Sequence, residues 1–184
     1  MRRSGFKSLV AAGLVATGIA ASTSVVAASD MFLKVAGVNG ESSDAKHKGE
    51  MDVLSWSWGT SNGKAVTGKG RVPGACIQDL QLVKPVDIAS PSLILMAVTG
   101  EVANDATLTV RRSGATQSDV LLLKFTNVSV ASYQTGGSEA SNTLTEQLAL
   151  HFDSLVGEYR PIKPDGTAGN PVVFNIGGGG GSCQ

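Results

Sequence analysis

Residues 52–59, DVLSWSWG, contain both tryptophans of this 184-residue chain. Side chains alternate between the two faces of a β-strand, so a strand here places Leu54, Trp56 and Trp58 on one face. Exposed aromatic platforms that bind sugars seldom include a leucine in a chain with only 5% aromatic residues. The pattern therefore predicts that Trp56 and Trp58 belong to the core or to a subunit interface.

The same alternation continues outward from this segment in both directions, which is typical of strands with one buried face. Further strands are predicted at residues 31–38, 77–84, 107–111, 119–131, 144–159 and 172–176. Clusters of Gly, Asn, Asp and Ser between them predict turns. The sequence therefore predicts one mainly β domain over residues 29–176, followed by a flexible Gly-rich tail at 177–184.

One segment, SPSLILMAVTG at residues 90–100, predicts a helix instead. Ser90 is a candidate N-cap, Pro91 suits the first turn, and Gly100 suits the end. The interior is almost wholly apolar, so the helix needs cover on nearly every side. We expect it to plug an open end of a barrel or to lie against a neighbouring subunit.

Residues 120–123, VLLL, are apolar at four successive positions, so both faces of that strand need cover. One face can join the core of the domain, and we expect Leu121 and Leu123 to lie in the core or at a subunit interface. In a domain this small, the other face is more easily covered by a second subunit. The sequence therefore predicts an oligomer.

The first residues have the three parts of a secretory signal peptide. Arg2, Arg3 and Lys7 precede a run of small apolar residues, and Ala28 suits the position before the cleavage site. A retained membrane anchor is the disfavoured alternative, because the apolar run is too short to span a bilayer comfortably. We therefore predict a signal peptide at 1–28 and a secreted or periplasmic protein without stable membrane insertion.

The charge of the exported domain argues against a nucleic-acid partner. Residues 1–28 carry three basic and no acidic side chains, so their removal lowers the formal charge from zero to −3. Proteins that bind nucleic acid normally present a basic surface.

The sequence contains no recognisable catalytic constellation. His47 and His151 are the only histidines, and both are predicted to lie at the surface or at an interface. Serine-hydrolase, zinc-site and phosphate-loop motifs are absent. We therefore predict a protein that is not an enzyme and that has no cofactor or metal. Cys76 and Cys183 could form one disulfide within the chain, bond between chains, or remain thiols.

A long loop at residues 59–75, GTSNGKAVTGKGRVPGA, follows the tryptophan strand. It has five glycines and the cations Lys64, Lys69 and Arg71, and it has no acidic residue. Seventeen residues exceed the usual length of a hairpin connection, and such loops are typically functional or disordered.

These features, in this order, resemble the haemolysin-coregulated protein (Hcp) family, the tube proteins of type VI secretion. The resemblance spans residues 30–176 and rests on the order and spacing of four stretches. They are DMFLKVAGVNGESSDAKHKGEMDVLSWSWG, VPGACIQDLQLVKPVDIASPSLILMAVTGE, ATLTVRRSG and YQTGGSEASNTLTEQLALHFDSLVGEYRPIKPDGTAGNPVVFNI. It implies a compact β-barrel of two antiparallel sheets with one short flanking α-helix, and six subunits in a ring that stacks into a hollow tube.

The resemblance also implies roles for particular residues. Leu93, Leu95 and Met96 would lie on the lumen-side helix, and the loop after the tryptophan strand would connect stacked rings. The residues implied in stacking are Thr60, Lys64, Lys69 and Arg71, and the acids that could meet them are Asp44, Glu139 and Asp165. Unlike typical members, this chain has its own export signal. The alternative function is an exported effector, or a cargo-binding or chaperone protein that holds a small secreted partner in the ring lumen.

Overall fold

The computed structural model describes residues 29–62, 75–113, 117–137, 143–177 and 181–182. The predicted signal peptide at 1–28 lies outside these residues. The described part is mainly β with one helix, which confirms the predicted fold class. Its elements are β1 (Ser29–Val35), β2 (Met51–Asp52), β3 (Ser55–Ser57), β4 (Thr60–Asn62), β5 (Ala75–Ile77), β6 (Leu80–Pro85), α1 (Ser90–Thr99), β7 (Val102–Arg112), β8 (Ser118–Gly136), β9 (Thr145–His151), β10 (Ser154–Tyr159), β11 (Val172–Ile176) and β12 (Gly181–Ser182).

The larger sheet is antiparallel and has the strand order β2-β1-β7-β8-β9-β6-β3. The long strand β8 belongs to two parts of it. Its first half pairs with β10, with Thr126 opposite Ser154, and its second half pairs with β9, with Ser129 opposite His151. The strand β11 then pairs with β10. The register shifts after Val130, an irregularity of the kind that bends a strand.

The two ends of this sheet meet at the tryptophan segment. The Val53 N–H donates to the carbonyl of Met31 in β1 at 2.9 Å, and the Leu54 N–H donates to that of Val83 in β6 at 2.8 Å. Consecutive amides thus bond to β1 and β6, the second and the second-last strands in the sheet order. The described strands do not form one continuous closed barrel, and this single segment joins the first and last parts of the sheet.

The prediction of one uninterrupted strand here is wrong, because the chain bends at Leu54. Before the bend Met51 and Val53 are buried, whereas after it Trp56 and Trp58 are half-buried and pack against the core. Leu54 itself is 52% exposed. The bend therefore moves the inward face from odd to even positions.

The core lies between the sheet and α1. Its two large rings, Phe125 and Phe152, meet at a centroid distance of 4.8 Å. The other members of this buried apolar cluster are Leu33, Val35, Met51, Val53, Leu80, Leu82, Ala89, Leu93, Met96, Ala103, Ala106, Leu108, Leu123, Val128, Val130, Leu148, Leu150 and Leu155.

The helix begins one residue earlier than predicted. Ala89 occupies the N-cap position and Ser90 is the first helical residue, with its hydroxyl accepting the Asp87 N–H at 3.0 Å. The predicted end is correct. Gly100 adopts a left-handed conformation with φ 73°, which glycine reaches without strain, and its N–H donates to Met96 O at 2.9 Å.

The predicted strand at 144–159 is two strands, β9 and β10. They are separated where the Asp153 N–H donates to the Thr126 carbonyl at 3.0 Å. Leu150 and Phe152 are buried before this break and Leu155 is buried after it, so the buried parity changes.

A smaller sheet contains β4, β5 and β12. The strands β4 and β5 are antiparallel, and β12 pairs in parallel with β5, with Gly181 opposite Cys76. The helix in the described residues is too short to cross a membrane.

Candidate assembly surfaces

One side of the helix α1 packs against the core of the chain, and the other side, its bare face, is exposed to solvent. Leu93 and Met96 are buried in the core. Leu95 is 60% exposed and Val98 is 79% exposed, and Ile94 is exposed beside them. Of the three residues predicted for the lumen side, only Leu95 faces away from the chain's own core.

A groove of about 410 Å³ runs beside the bare face of α1. Leu95, Val102 and Val38 supply apolar side chains to its wall, and Glu101 adds a carboxylate. Val102 is itself 55% exposed. The apolar surface of the helix therefore continues onto the start of β7.

The strand β11 is a second exposed apolar surface. Val172, Val173 and Phe174 are all exposed, and the only described strand with which β11 pairs is β10. Phe174 lies opposite Gly157, where a side chain would collide with its ring. An apolar strand with an unpaired edge is a template for pairing with another chain.

The four apolar residues of β8 are covered to different degrees. Leu123 is buried and Leu121 packs against the core. On the other face Leu122 is half-buried and pairs in register with Glu158 of β10.

The predicted stacking loop begins and ends in the small sheet. Thr60 lies in β4, and its hydroxyl donates to the Cys76 carbonyl at 3.0 Å. The cations Lys64, Lys69 and Arg71 lie outside the described residues. Cys76 is disulfide-bonded, and Cys183 lies outside the described residues.

A buried charge network that the sequence analysis missed lies beneath the start of α1. The side chains of Lys84 and Glu146 have no exposed surface, and Lys84 Nζ donates to Glu146 Oε1 at 2.8 Å. The same ammonium donates to Asp87 Oδ1 and to the Pro85 carbonyl, both at 2.8 Å. The Tyr133 hydroxyl donates to Glu146 Oε2 at 2.6 Å. The network therefore joins β6, β8 and β9 to the turn that precedes the helix.

Tyr133 is held in its protonated form by this network. Burial, together with the hydrogen bond to Glu146, raises the pKa of Tyr133 to about 12. The sequence does not identify these residues as buried. A lysine or a glutamate in a strand of alternating apolar and polar residues normally lies on the face exposed to solvent.

A second polar network, centred on the buried Arg111, holds the start of β1 against β7. Arg111 is 2% exposed, and its guanidinium donates to both carboxylate oxygens of Asp44, at 2.6 and 2.9 Å. It also donates to Asp30 Oδ2 at 3.2 Å. The hydrogen bond from Arg111 holds the pKa of Asp44 far below its usual range. The same bond raises the pKa of Arg111.

The prediction that His47 lies at a surface or interface is wrong. Its ring is buried within the chain and stacks on Phe32 at a centroid distance of 4.2 Å. Nδ1 lies 2.9 Å from Glu50 Oε2, and Nε2 lies 3.6 Å from Asp119 Oδ1. The residues directly beside His47 are lysines and do not signal burial; the ring that covers His47 comes from β1.

His151 is exposed as predicted and lies 2.9 Å from Asp79. In the described residues, no three metal-ligating side chains are grouped as a metal site requires. The described residues therefore present two polar networks with buried charges and at least two exposed apolar surfaces.

Residues 32–159 match the family described as "Type VI secretion system effector, Hcp". The chain is also 39% identical over 149 residues to Protein hcp1 of Pseudomonas aeruginosa, a match that covers 79% of this chain and 92% of that protein. The chain belongs to the Hcp family.

Solved structures agree with this assignment. A type six secretion system protein aligns with a TM-score of 0.73 and 30% identity, covering 79% of this Hcp chain and 92% of the other. Hcp1 from Salmonella typhimurium aligns with a TM-score of 0.66 and 30% identity, covering 82% and 94%.

The family match ends with β10. The exposed apolar residues of α1 and the Lys84–Glu146 network fall inside the matched part of this Hcp protein, and so does the Arg111 network apart from Asp30. The strands β11 and β12 lie beyond it.

Proposed function

We propose that this Hcp protein is a structural subunit, not an enzyme, and that six copies close into a ring that stacks into a hollow tube. The predicted signal peptide at 1–28 would direct it to the periplasm or the exterior. Family membership supports the general role. The six-fold ring follows from the resemblance.

The observation that carries the proposal is that two apolar surfaces of different shape remain bare on one subunit. One is the face of α1 with Leu95 and Val98, and the other is the edge strand β11 with Val172 and Phe174. A contact between different surfaces of identical subunits is heterologous, and it forms a ring when its rotation closes. Burial of such surfaces supplies the main driving force for association.

The small sheet supports a stacking role for the loop it carries. The strands β4 and β5 form a ribbon that leads into residues 63–74, where Lys64, Lys69 and Arg71 lie. Asp44 is a poor partner for these cations, because it is already paired with Arg111 of its own chain. Carboxylates elsewhere on the next ring would meet them.

Negative-stain electron microscopy of residues 29–184 tests this proposal. We expect six-fold rings and stacked tubes, and we expect Val98→Asp to abolish them because a charge enters the bare apolar face. The matched control Val98→Ala should keep rings. A wild-type protein that stays monomeric at high concentration would contradict the proposal.

The alternative is an exported effector or a carrier of a small secreted cargo. The groove beside α1, with its apolar wall, favours this second function. It predicts that a monomer or ring retains one defined small partner when it is purified from the secreting cell, and that Leu95→Asp releases that partner.

A further inference from the structure

The C-terminal end of the chain returns to the base of the positively charged loop. Gly181 and Ser182 of β12 pair in parallel with Cys76 and Ile77 of β5. On its other side β5 pairs with β4, where Thr60 lies opposite Ile77. The C-terminal end thus adds a third strand to the ribbon that carries residues 63–74.

Without β12 this ribbon would be weak. It has three residue pairs, and a two-stranded hairpin is marginally stable in water. A third strand pairs the second edge of β5 and orders the two ends of the loop. The order of β4 and β5, at the two ends of the loop, therefore depends on whether β12 stays in place.

The glycine-rich sequence that leads to β12 makes its pairing with β5 costly in conformational entropy. Residues 177–181 are five consecutive glycines, and glycine loses more conformational freedom on ordering than any other residue. A strand of two residues offers few hydrogen bonds in return. Pairing alone is therefore insufficient to hold β12, and a further constraint is required.

A disulfide supplies that constraint. Cys76 is disulfide-bonded and lies in the strand that β12 joins. The chain has one other cysteine, Cys183, which follows Ser182 directly in the sequence. We propose that Cys76 and Cys183 of the same chain form a redox-sensitive clasp, which holds β12 on the ribbon and is opened by a dithiol reductant.

The reductant supplies the electrons and protons that are needed to open the disulfide. Two electrons and two protons from the dithiol convert the Sγ–Sγ bond into two thiols, and the dithiol becomes a disulfide. The clasp then persists in an oxidising compartment and opens in a reducing one. That the clasped ribbon controls ring stacking rests on the proposed function, but the clasp itself does not.

Hydrogen exchange on the mature chain, residues 29–184, tests the clasp. The samples are the oxidised wild type, the wild type reduced with excess dithiothreitol, Cys183→Ser, and Ser182→Ala as a control that keeps both cysteines. Peptide mapping under non-reducing conditions identifies the bonded pair. The amides of β7 and β8 report whether each sample is folded.

We expect a 76–183 bond within one chain, and exchange in residues 75–77 at least about tenfold faster in the reduced wild type and in Cys183→Ser. The control should match the oxidised wild type. Equal protection with and without the bond, or a bond between two chains, overturns the proposal. Electron microscopy of the same samples reports rings separately, so failure to assemble is distinguishable from failure of the clasp.

Discussion

Lys84 and Glu146 are charged side chains without exposed surface, and each depends on the other. Replacing one partner leaves the other charge uncompensated, whereas replacing both with apolar residues of similar size is often neutral. We expect Lys84→Met to lower the free energy of unfolding by about 3–5 kcal/mol. The double variant Lys84→Met with Glu146→Leu should recover much of that loss. Urea unfolding measures both, and equal losses in the two variants would count against the network.

Asp44 makes stability depend on pH with a definite sign. Its pKa in the folded protein is depressed by the hydrogen bond from Arg111, below the ordinary value of 3.8. The unfolded chain therefore takes up the proton first, so the contribution is present above about pH 4 and is lost as the pH falls further.

We expect Asp44→Asn to be less stable than the wild type at pH 7, and the difference to shrink in acid. Unfolding by urea at several pH values measures it. Asp52→Asn, on an exposed residue of β2, controls for the loss of one negative charge. A difference that stays constant from pH 7 to pH 3 would show that the Arg111 contact does not act through ionisation.

At the scale of elements, the two faces of α1 should respond differently to truncation. Leu93 is fully buried, so we expect Leu93→Ala to cost about 2–5 kcal/mol of unfolding free energy. Leu95 is exposed, so Leu95→Ala should stay within about 0.5 kcal/mol of the wild type.

Analytical ultracentrifugation of the same pair reports on assembly. We expect Leu95→Ala to weaken subunit association although its stability is unchanged. If association is unaffected by this substitution, the bare face of α1 is not a subunit contact.

The hairpin of β10 and β11 depends on a glycine. A Cβ at Gly157 would lie 2.0 Å from the Phe174 ring, so Gly157→Ala must displace that ring. We expect a loss of about 1–3 kcal/mol, as for other overpacked sites, and faster hydrogen exchange in residues 172–176. In a Phe174→Ala background the same glycine substitution should cost almost nothing, because the space is then open. Equal costs in both backgrounds would contradict this contact.

The local sequence pattern correctly predicted the elements that depend mainly on neighbouring residues in the sequence. The alternation at 172–176 gave β11 with its correct bounds, and Gly100 gave the end of α1 because it adopts the left-handed conformation there. The local pattern gave wrong predictions where contacts with residues far away in the sequence determine the structure. The bend at Leu54 depends on the carbonyls of Met31 and Val83, which no window around the tryptophans contains.

The polar networks were missed for the same reason. Asp44 and Arg111 are separated by 67 positions, and Lys84 and Glu146 by 62. Each residue alone resembles an ordinary surface charge, so burial becomes evident only when the strands are assembled. The candidate assembly surfaces were partly predictable, since an all-apolar helix must expose one face when the chain's own core covers only the other.

At the scale of the whole molecule, stacking should be more sensitive to charge than ring closure is. Replacing Lys64, Lys69 and Arg71 together with Ala removes the cations of the loop and leaves the apolar surfaces unchanged. We expect rings without tubes. Raising the salt concentration should shorten wild-type tubes, because exposed charges are screened over about 8 Å at physiological ionic strength. Electron microscopy measures tube length, and tubes that persist in the triple variant would exclude the loop from stacking.

The strand order also bears on how the polypeptide reaches its compartment. The early strands pair with strands far along the chain: Leu33 of β1 lies opposite Leu108 of β7, and Leu80 of β6 lies opposite Leu150 of β9. Folding slows as the sequence separation between contacting residues grows. Until β7 and β9 are synthesised, β1 and β6 lack these partners, so the chain can be threaded in extended form through a translocation channel. Long-range pairing would thus favour translocation before folding on the export route that we propose.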